Sequence, residues 1–350
     1  MRKEIEIAGR RIGPGQPVYI VAELSANHGQ DFDRAAELIR QAQIAGADAV
    51  KIQTYTPDTL TIESDKEWFR IGDSSLWAGR TLYDLYQEAF TPWEWQPRLK
   101  RIANDLGLAL FSSPFDFTAV DFLEAMDVPA FKIASFELVD LPLIKRVAAT
   151  GKPIILSTGL ATLSEIEEAV STARAAGSND LVLLKCTSGY PACPEEMNLQ
   201  TIPHLSQTFN APAGLSDHTL GVAVPIAAVS LGAVLIEKHF TLSRADGGPD
   251  SAFSLEPAEF RNMVDSVRVA ERALGTVHYG PAEREQQNLR FRRSLFITEN
   301  LPAGASLTPQ NLRSIRPATG LSPRHYEEVL GRTIVRDVEK GTPLTWDLLR

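Results

Sequence analysis

Charged and hydroxyl side chains in this chain gather at one kind of place, the last residues of short apolar runs. The run "AVLIEKHF" (233–240) begins as a buried strand does and then presents Glu237, Lys238 and His239 with no turn signal. Burying one unpaired charge costs several kcal/mol, so a strand that ends this way needs something for the charge to meet. Glu23 falls near the end of "VYIVAEL", Lys51 and Gln53 in "AVKIQT", and Ser112 and Ser113 in "LALFSSP". Lys132 and Ser135 fall in "AFKIAS", Ser157 and Thr158 in "PIILST", Lys185 in "LVLLKCT", and Ser216 and His218 in "PAGLSDH". These types sort by chemistry. His218 and His239 end neighbouring strands, whose spacing of about 5 Å lets both imidazoles reach one ion. Two imidazoles with oxygen donors for the rest suit Mn²⁺, Co²⁺ or Mg²⁺ better than a structural Zn²⁺. Lys132 with Ser113, Ser135, Ser157 and Ser216 offers a cation and hydroxyls, as an oxyanion such as phosphate requires. Lys51 adds a second positive charge, apt for a carboxylate. Metal, phosphate and carboxylate held together fit phosphoenolpyruvate (PEP).

The elements that must position these groups alternate regularly. Eight strands are expected at 18–24, 49–54, 108–114, 130–135, 153–158, 181–187, 212–218 and 233–240, separated by helical segments such as "DRAAELIRQAQIAGA" and "LSEIEEAVSTARAAG". Strand and helix in alternation make βαβ units on a parallel sheet. Eight such units close a (β/α)₈ TIM barrel, whose active sites lie at the C-terminal ends of the strands. An open doubly wound sheet is the alternative, but no Gly-rich dinucleotide fingerprint follows the first strand. Residues 55–96 form an aromatic-rich insertion after the second strand, either a lid or sugar platform or a decorated loop. The barrel domain is expected over 1–280, a polar linker over 281–293, and a small β-rich domain over 294–350. That last piece is too short to be very stable alone. The 350 residues are 44% apolar and 23% charged with a net charge of −9. That balance fits a globular protein and argues against nucleic acid or an acidic membrane as partner. No run is long enough to span a bilayer, and "MRKEIEIAGRRIGPG" lacks the apolar core of a signal peptide. Cys186 and Cys193 read as free thiols, so the expected location is the cytoplasm.

Longer motifs carry a resemblance. "VAELSANHGQDFDRAAELI", "KIQTYTPDTLT", "FSSPFDFTAVDFLE", "KIASFELVDLPLIKRVAATGKPIILSTG", "GLSDHT" and "IEKHFTL" resemble the sialic acid synthase family. Those enzymes condense PEP with an aminosugar to make nine-carbon nonulosonic acids. The resemblance covers essentially the whole chain, and "LPAGASLTPQNLRSIRPATGLSP" is similar to the family's antifreeze-protein-like (SAF) domain. "LWAGRTLYDLYQEAFTPWEW" and "SRADGGPDSAFSLEP" resemble the pseudaminic acid branch rather than the sialic or legionaminic branches.

The resemblance implies roles for individual residues. His218 and His239 would ligate the metal; Ser113, Lys132, Ser135, Ser157 and Ser216 would hold the PEP phosphate. Lys51, Ser188 and Tyr190 would surround its carboxylate, and Glu23, Gln53 and Asp250 would face the sugar. Glu137 would activate the reacting water, with Glu23 as the alternative base. Where the family carries Asn this chain has Ser188 in "CTSGYP", and where it carries Thr it has Ser113; both keep hydrogen-bonding ability. The implied sugar is 2,4-diacetamido-2,4,6-trideoxy-β-L-altropyranose. Sialic or legionaminic acid synthesis from N-acetylmannosamine or its 2,4-diacetamido analogue is the alternative. Trp68, Trp77, Tyr83, Trp93 and Trp95 are expected to give the insertion an apolar wall for the methyl and second acetamido groups. In the family a domain-swapped homodimer brings an Arg of the tail to the partner's sugar, which implies that role for Arg316; the alternative is an Arg pairing locally with Glu327 or Glu328. Two rivals fare worse: a pyruvate aldolase has no use for the phosphate cluster, and an ice-binding surface would not carry Arg313, Arg316, Arg324 and Arg332.

Overall fold

Two short strands, β1 (Ile5–Ile7) and β2 (Arg10–Ile12), form an antiparallel hairpin ahead of the barrel strands. Ala8 and Gly9 between them have φ of 50° and 79°, the left-handed pair that a two-residue hairpin turn needs. A computed structural model describes residues 4–72 and 76–350; residues 73–75, part of the insertion expected at 55–96, lie outside the described residues. The chain divides into two compact units, Met1–Gly275 and Thr276–Arg350.

The first unit is a closed barrel of eight parallel strands. They are β3 (Tyr19–Glu23), β4 (Ala49–Thr54), β5 (Ala109–Pro114), β6 (Phe131–Ile133), β7 (Ile154–Ser157), β8 (Leu181–Cys186), β9 (Ala213–Asp217) and β10 (Leu235–His239). β10 closes on β3 in the register Leu235 to Tyr19 and His239 to Glu23. Side chains alternate across each strand. Ile20, Val50, Leu110, Ile133, Leu183 and Leu215 belong to the large outer core under the helices. Those helices present matching apolar stripes: Phe32–Ile44, capped by Asp31, buries Ala35, Ala36, Leu38, Ile39 and Ala42.

Tyr19, Val21, Ala49, Phe111, Ile155, Val182 and Leu235 form a second core with Ile5, Ile7 and Ile12 of the hairpin. These residues belong to the early part of each strand, so the hairpin packs against the N-terminal end of the barrel. One or two inward positions further on, the lining turns polar: Glu23, Lys51, Gln53, Ser113, Lys132, Ser157, Cys186, Ser216, Glu237 and His239. Ser112, Thr158 and Lys185, which the sequence groups with these, have the opposite parity. Ser112 Oγ donates to Ile52 O, Thr158 Oγ1 to Leu184 O, and Lys185 Nζ to Cys186 O. The inward residue at the end of β8 is therefore Cys186.

Two contacts hold β9 to β10. A Cβ at Gly214 would stand 2.2 Å from Leu235 O, so only glycine permits their approach. On the outer face Lys238 Nζ lies 2.5 Å from Asp217 Oδ2, and both side chains are fully buried. Lys238 also donates to Thr219 O, and Asp217 Oδ1 accepts from Thr219 N.

In the second unit β11 (Ser294–Ile297) pairs antiparallel with β12 (Leu312–Ile315). Leu295, Ile297, Leu301, Leu307, Leu312, Val329, Ile334 and Leu344 make its core. The segment expected as a linker contains a 3₁₀ turn over Glu283–Phe291. Arg316 follows β12 and is exposed. Glu328, weighed as its local partner, pairs instead with His325 and Arg332.

Candidate active site

The C-terminal end of the barrel opens into a cavity of about 800 Å³, within the range usual for small-molecule sites. Part of its lining is a buried charge cluster set by strand register, with Glu23 beside Lys51 and Glu237 beside Ser216. Lys51 Nζ lies 2.6 Å from Glu23 Oε2 and 3.5 Å from Glu237 Oε1; Lys132 Nζ is 3.8 Å from that same Glu237 oxygen. None of the four residues is more than 4% exposed. Ser216 Oγ donates to Glu237 Oε1 at 3.3 Å, and Lys51 donates to Ser113 Oγ at 3.4 Å. The sequence marks Glu237 only as one of the charges that end its strand. Here it is the carboxylate both lysines share. Burial drives Glu23 well above the usual carboxylate range against the pull of Lys51. Burial acts the same way on Glu237, but Lys132 and Lys51 outweigh it and hold that residue low. The cluster is consequently short of negative charge, and an incoming anion meets a field that favours it.

Hydroxyls stand on the β6–β8 side of the mouth. A Cβ at Gly159, just after β7, would be 2.5 Å from Ser188 Oγ and 2.7 Å from Ser135 Oγ, so the two converge over a bare backbone. Ser157 Oγ is buried without a hydrogen-bond partner and has a proton to offer. Ser188, expected at a carboxylate, thus shares its surroundings with Ser135. Lys51, Lys132, Ser135, Ser157, Ser188, Tyr190 and Ser216 all line the cavity, whereas Glu23 and Ser113 stand behind Lys51.

His218 and His239 face each other with ring centroids 5.2 Å apart. His218 Nδ1 lies 2.9 Å from Thr187 O, which leaves Nε2 to the cavity. His239 Nδ1 is buried without a partner, and burial keeps that ring well below the ordinary imidazole value, in the neutral form a metal ligand needs. Among the described residues no group of three or more His, Cys, Asp or Glu is arranged to hold a metal. The donor set that fits an ion is therefore the two imidazoles, with its other positions open to water and substrate oxygens. Cys186 Sγ lies 4.0 Å from His218 Nδ1 and was not singled out from the sequence. Burial pushes its thiol up, and the hydrogen bond from His218 brings it down to about 7.

Glu137 sits in the 3₁₀ turn Phe136–Val139 after β6 and lines the cavity, with Oε2 buried and unpartnered. Burial raises its carboxyl to about 7. Gln53 and Asp250 line the side opened by β3 and β4, together with Ser25. The insertion supplies much of the remaining wall through Leu60, Ile71, Leu76, Trp77, Leu85 and Tyr86. Of the five rings expected there, only Trp77 lines the cavity. Trp68 is exposed, Tyr83 donates to Asp58, Trp93 donates to Tyr55 O against Phe122, and Trp95 packs edge-on to His28 and Phe32. The apolar wall is real, but aliphatic residues make most of it. Arg316 belongs to the second unit.

The NeuB family model matches residues 38–279 and the SAF domain model residues 292–350. The chain is 44% identical to a pseudaminic acid synthase of Helicobacter pylori over 95% of its own length and 98% of that protein. It is 45% identical to a pseudaminic acid synthase of Campylobacter jejuni over 93% of its length and 95% of that protein. The crystal structure of an N-acetylneuraminic acid synthetase from Leptospira borgpetersenii superposes with a TM-score of 0.72 at 33% identity, covering 83% of this chain and 97% of that one.

Proposed function

The chain belongs to the NeuB family, and from that premise we propose that it condenses PEP with 2,4-diacetamido-2,4,6-trideoxy-β-L-altropyranose and water to give pseudaminic acid and phosphate. The observation that carries this reading is the 44–45% identity to two pseudaminic acid synthases over nearly the whole chain. The cavity chemistry agrees with it. Lys132, the paired hydroxyls of Ser135 and Ser188 and the unpartnered Ser157 suit a phosphate; Lys51 suits the adjoining carboxylate. A divalent ion held by His218 and His239, Mn²⁺ or Co²⁺ by preference over Mg²⁺, supplies Lewis acidity toward the carbonyl oxygen of the opened sugar.

The chain's own residues do the rest. Lys51 and Lys132 fix PEP with its C3 toward the sugar aldehyde, where the new carbon–carbon bond forms and C2 becomes cationic. Glu137, held near neutrality by burial, takes a proton from the water that adds at C2. The tetrahedral carbon then expels phosphate by C–O cleavage, and Lys132 with the serine hydroxyls stabilises the departing anion. Gln53 and Asp250 orient the sugar against the apolar wall of the insertion.

We also read the protein as a homodimer in which the SAF domain of one copy covers the barrel mouth of the other, carrying Arg316 to the sugar. Two features support this. Phe117, Phe136, Val139, Leu160, Leu163 and Leu220 are exposed in the loops, 3₁₀ turn and helix starts that follow the C-terminal ends of the strands, an apolar rim suited to a covering partner. Residues 276–350 carry 11 Lys and Arg against 8 Asp and Glu, leaving 24 against 36 in the barrel unit, so the units have opposite charge. A cytoplasmic location accords with the use of PEP and two free thiols. Among the described residues no helix is long and apolar enough to cross a membrane.

The test measures phosphate release from PEP with the altro sugar, its gluco isomer and N-acetylmannosamine, each with and without a chelator. The altro sugar is expected to turn over fastest, and only before chelation. A preference for N-acetylmannosamine would make this a sialic acid synthase instead.

A further inference from the structure

Ser25 is the residue after Leu24 at the mouth of β3, and its backbone is left-handed, with φ of 44°. Side chains other than glycine, asparagine and aspartate rarely sit there. Ser25 is 97% buried from solvent yet lines the cavity. Its hydroxyl has two partners: it donates to Asp250 Oδ2 and accepts from Gln53 Nε2 at 3.1 Å. The other amide hydrogen of Gln53 goes to Glu23 Oε1 at 3.3 Å, which fixes which way that amide points. Asp250 Oδ2 is further occupied by Ala26 N at 3.4 Å. These bonds commit the Gln53 amide nitrogen and one Asp250 oxygen to the protein. They leave Gln53 Oε1 and Asp250 Oδ1, two acceptors, for a ligand.

We propose that Ser25 is a specificity-determining residue for the sugar: it locks Gln53 and Asp250 into an acceptor pair that selects a substrate with donors, a hydroxyl or an acetamido N–H, at two neighbouring carbons. A glycine would adopt this backbone without strain, so the serine is held there for its hydroxyl rather than for the turn. Without it the 3.3 Å bond to Glu23 Oε1 alone restrains the Gln53 amide, which then turns more readily to present a donor where the site needs an acceptor. A site built to hydrogen-bond a substrate group discriminates strongly against analogues that lack it, and a site whose polar groups can rotate does not. The inference rests on the PEP–aminosugar reading and deepens it.

The test compares wild type with Ser25→Gly and Ser25→Ala, reading kcat/KM for the altro sugar, its gluco isomer and N-acetylmannosamine, the KM for PEP, and Tm. Ser25→Gly removes hydroxyl and strain together, whereas Ser25→Ala removes the hydroxyl and keeps the strained backbone. Both are expected to lower kcat/KM for the preferred sugar about 10–100-fold and to compress its ratio over the other two, with KM for PEP unchanged within about twofold. Ser25→Gly should melt at or above Ser25→Ala, because only it relieves the backbone. Sugar ratios that stay at the wild-type values in either folded variant overturn the proposal. So does a loss that falls equally on PEP and on all three sugars, since a structural defect would do that. If wild type prefers another sugar of the panel, the reading of the substrate falls while the ratios still test Ser25; a wild type that turns over none of them overturns both.

Discussion

At the scale of the residue, the site is governed by which groups are buried without an equal partner. His239 has a bare Nδ1 and a ring held neutral, with His218 facing it at 5.2 Å. Replacing either histidine with alanine should abolish Mn²⁺ binding measured by calorimetry and cut turnover by roughly 100-fold or more, since losing even a ligand's supporting partner costs 10–100-fold. Circular dichroism should remain that of the wild type, because both side chains sit at a cavity wall. Full activity of either variant in chelator would remove the metal from the account. Glu137 makes a different prediction. A general base must be ionised, and burial raises this carboxyl to about 7. The rate should therefore rise with pH through about 7, and Glu137→Gln should lose both that limb and most of the turnover. A profile whose acid limb persists in Glu137→Gln assigns the base elsewhere. The histidines were legible in the sequence because their type is unusual at the ends of apolar strands, whereas Glu137, in a turn beyond β6, was indicated only by the family resemblance. Glu237 was half legible: its face follows from alternation with His239, but the two lysines that share it come from strands 100 and more residues away. Ser25 was not legible at all, because a serine in a loop gives no sign of a positive φ.

At the scale of the element, parity decides function. Every barrel strand was placed to within about two residues by its apolar run, and the period of two assigns the inward face wherever one inward residue is known. Charge near a strand end does not by itself give the face: Ser112, Thr158 and Lys185 stand near their strand ends with the opposite parity, and at β8 alternation puts Cys186 inward and turns the lysine outward. The insertion shows the limit of composition as a guide. Its aromatic content was visible, but Tyr83, Trp93 and Trp95 fasten the segment to itself or to the barrel, Trp68 is exposed, and aliphatic side chains make most of the wall. The tie between β9 and β10 belongs to this scale too. Lys238 and Asp217 each precede a cavity histidine and pair in full burial on the outer face. Lys238→Met would strand a buried carboxylate, so unfolding in urea should show a loss of about 3–5 kcal/mol. Adding Asp217→Leu should return much of it. A single variant as stable as wild type would mean that the glycine approach at Gly214 holds the strands unaided.

At the scale of the whole molecule, the proposed swap makes each mouth a product of two chains. Arg316→Ala should then cripple turnover while the SAF unit stays folded, because Arg316 is exposed within it. Mixing Arg316→Ala subunits with His239→Ala subunits should restore about a quarter of wild-type activity, since a mixed dimer has one mouth with both an intact barrel and an intact arginine. Verified mixed dimers that remain dead would count against the swap. The other end of the barrel has a consequence in time. Ile5, Ile7 and Ile12 leave the ribosome well before Val234 and Leu235, which belong to the core that buries them. At 5–20 residues per second those isoleucines wait roughly 10–50 s before their last neighbours are made. The hairpin can close by itself meanwhile, since its turn is local, but it has nowhere to dock. Nascent chains arrested before β10 should keep residues 4–12 open to protease and to chaperones, and release past β10 should protect them. The hairpin, made long before β10, is in this sense folded after it.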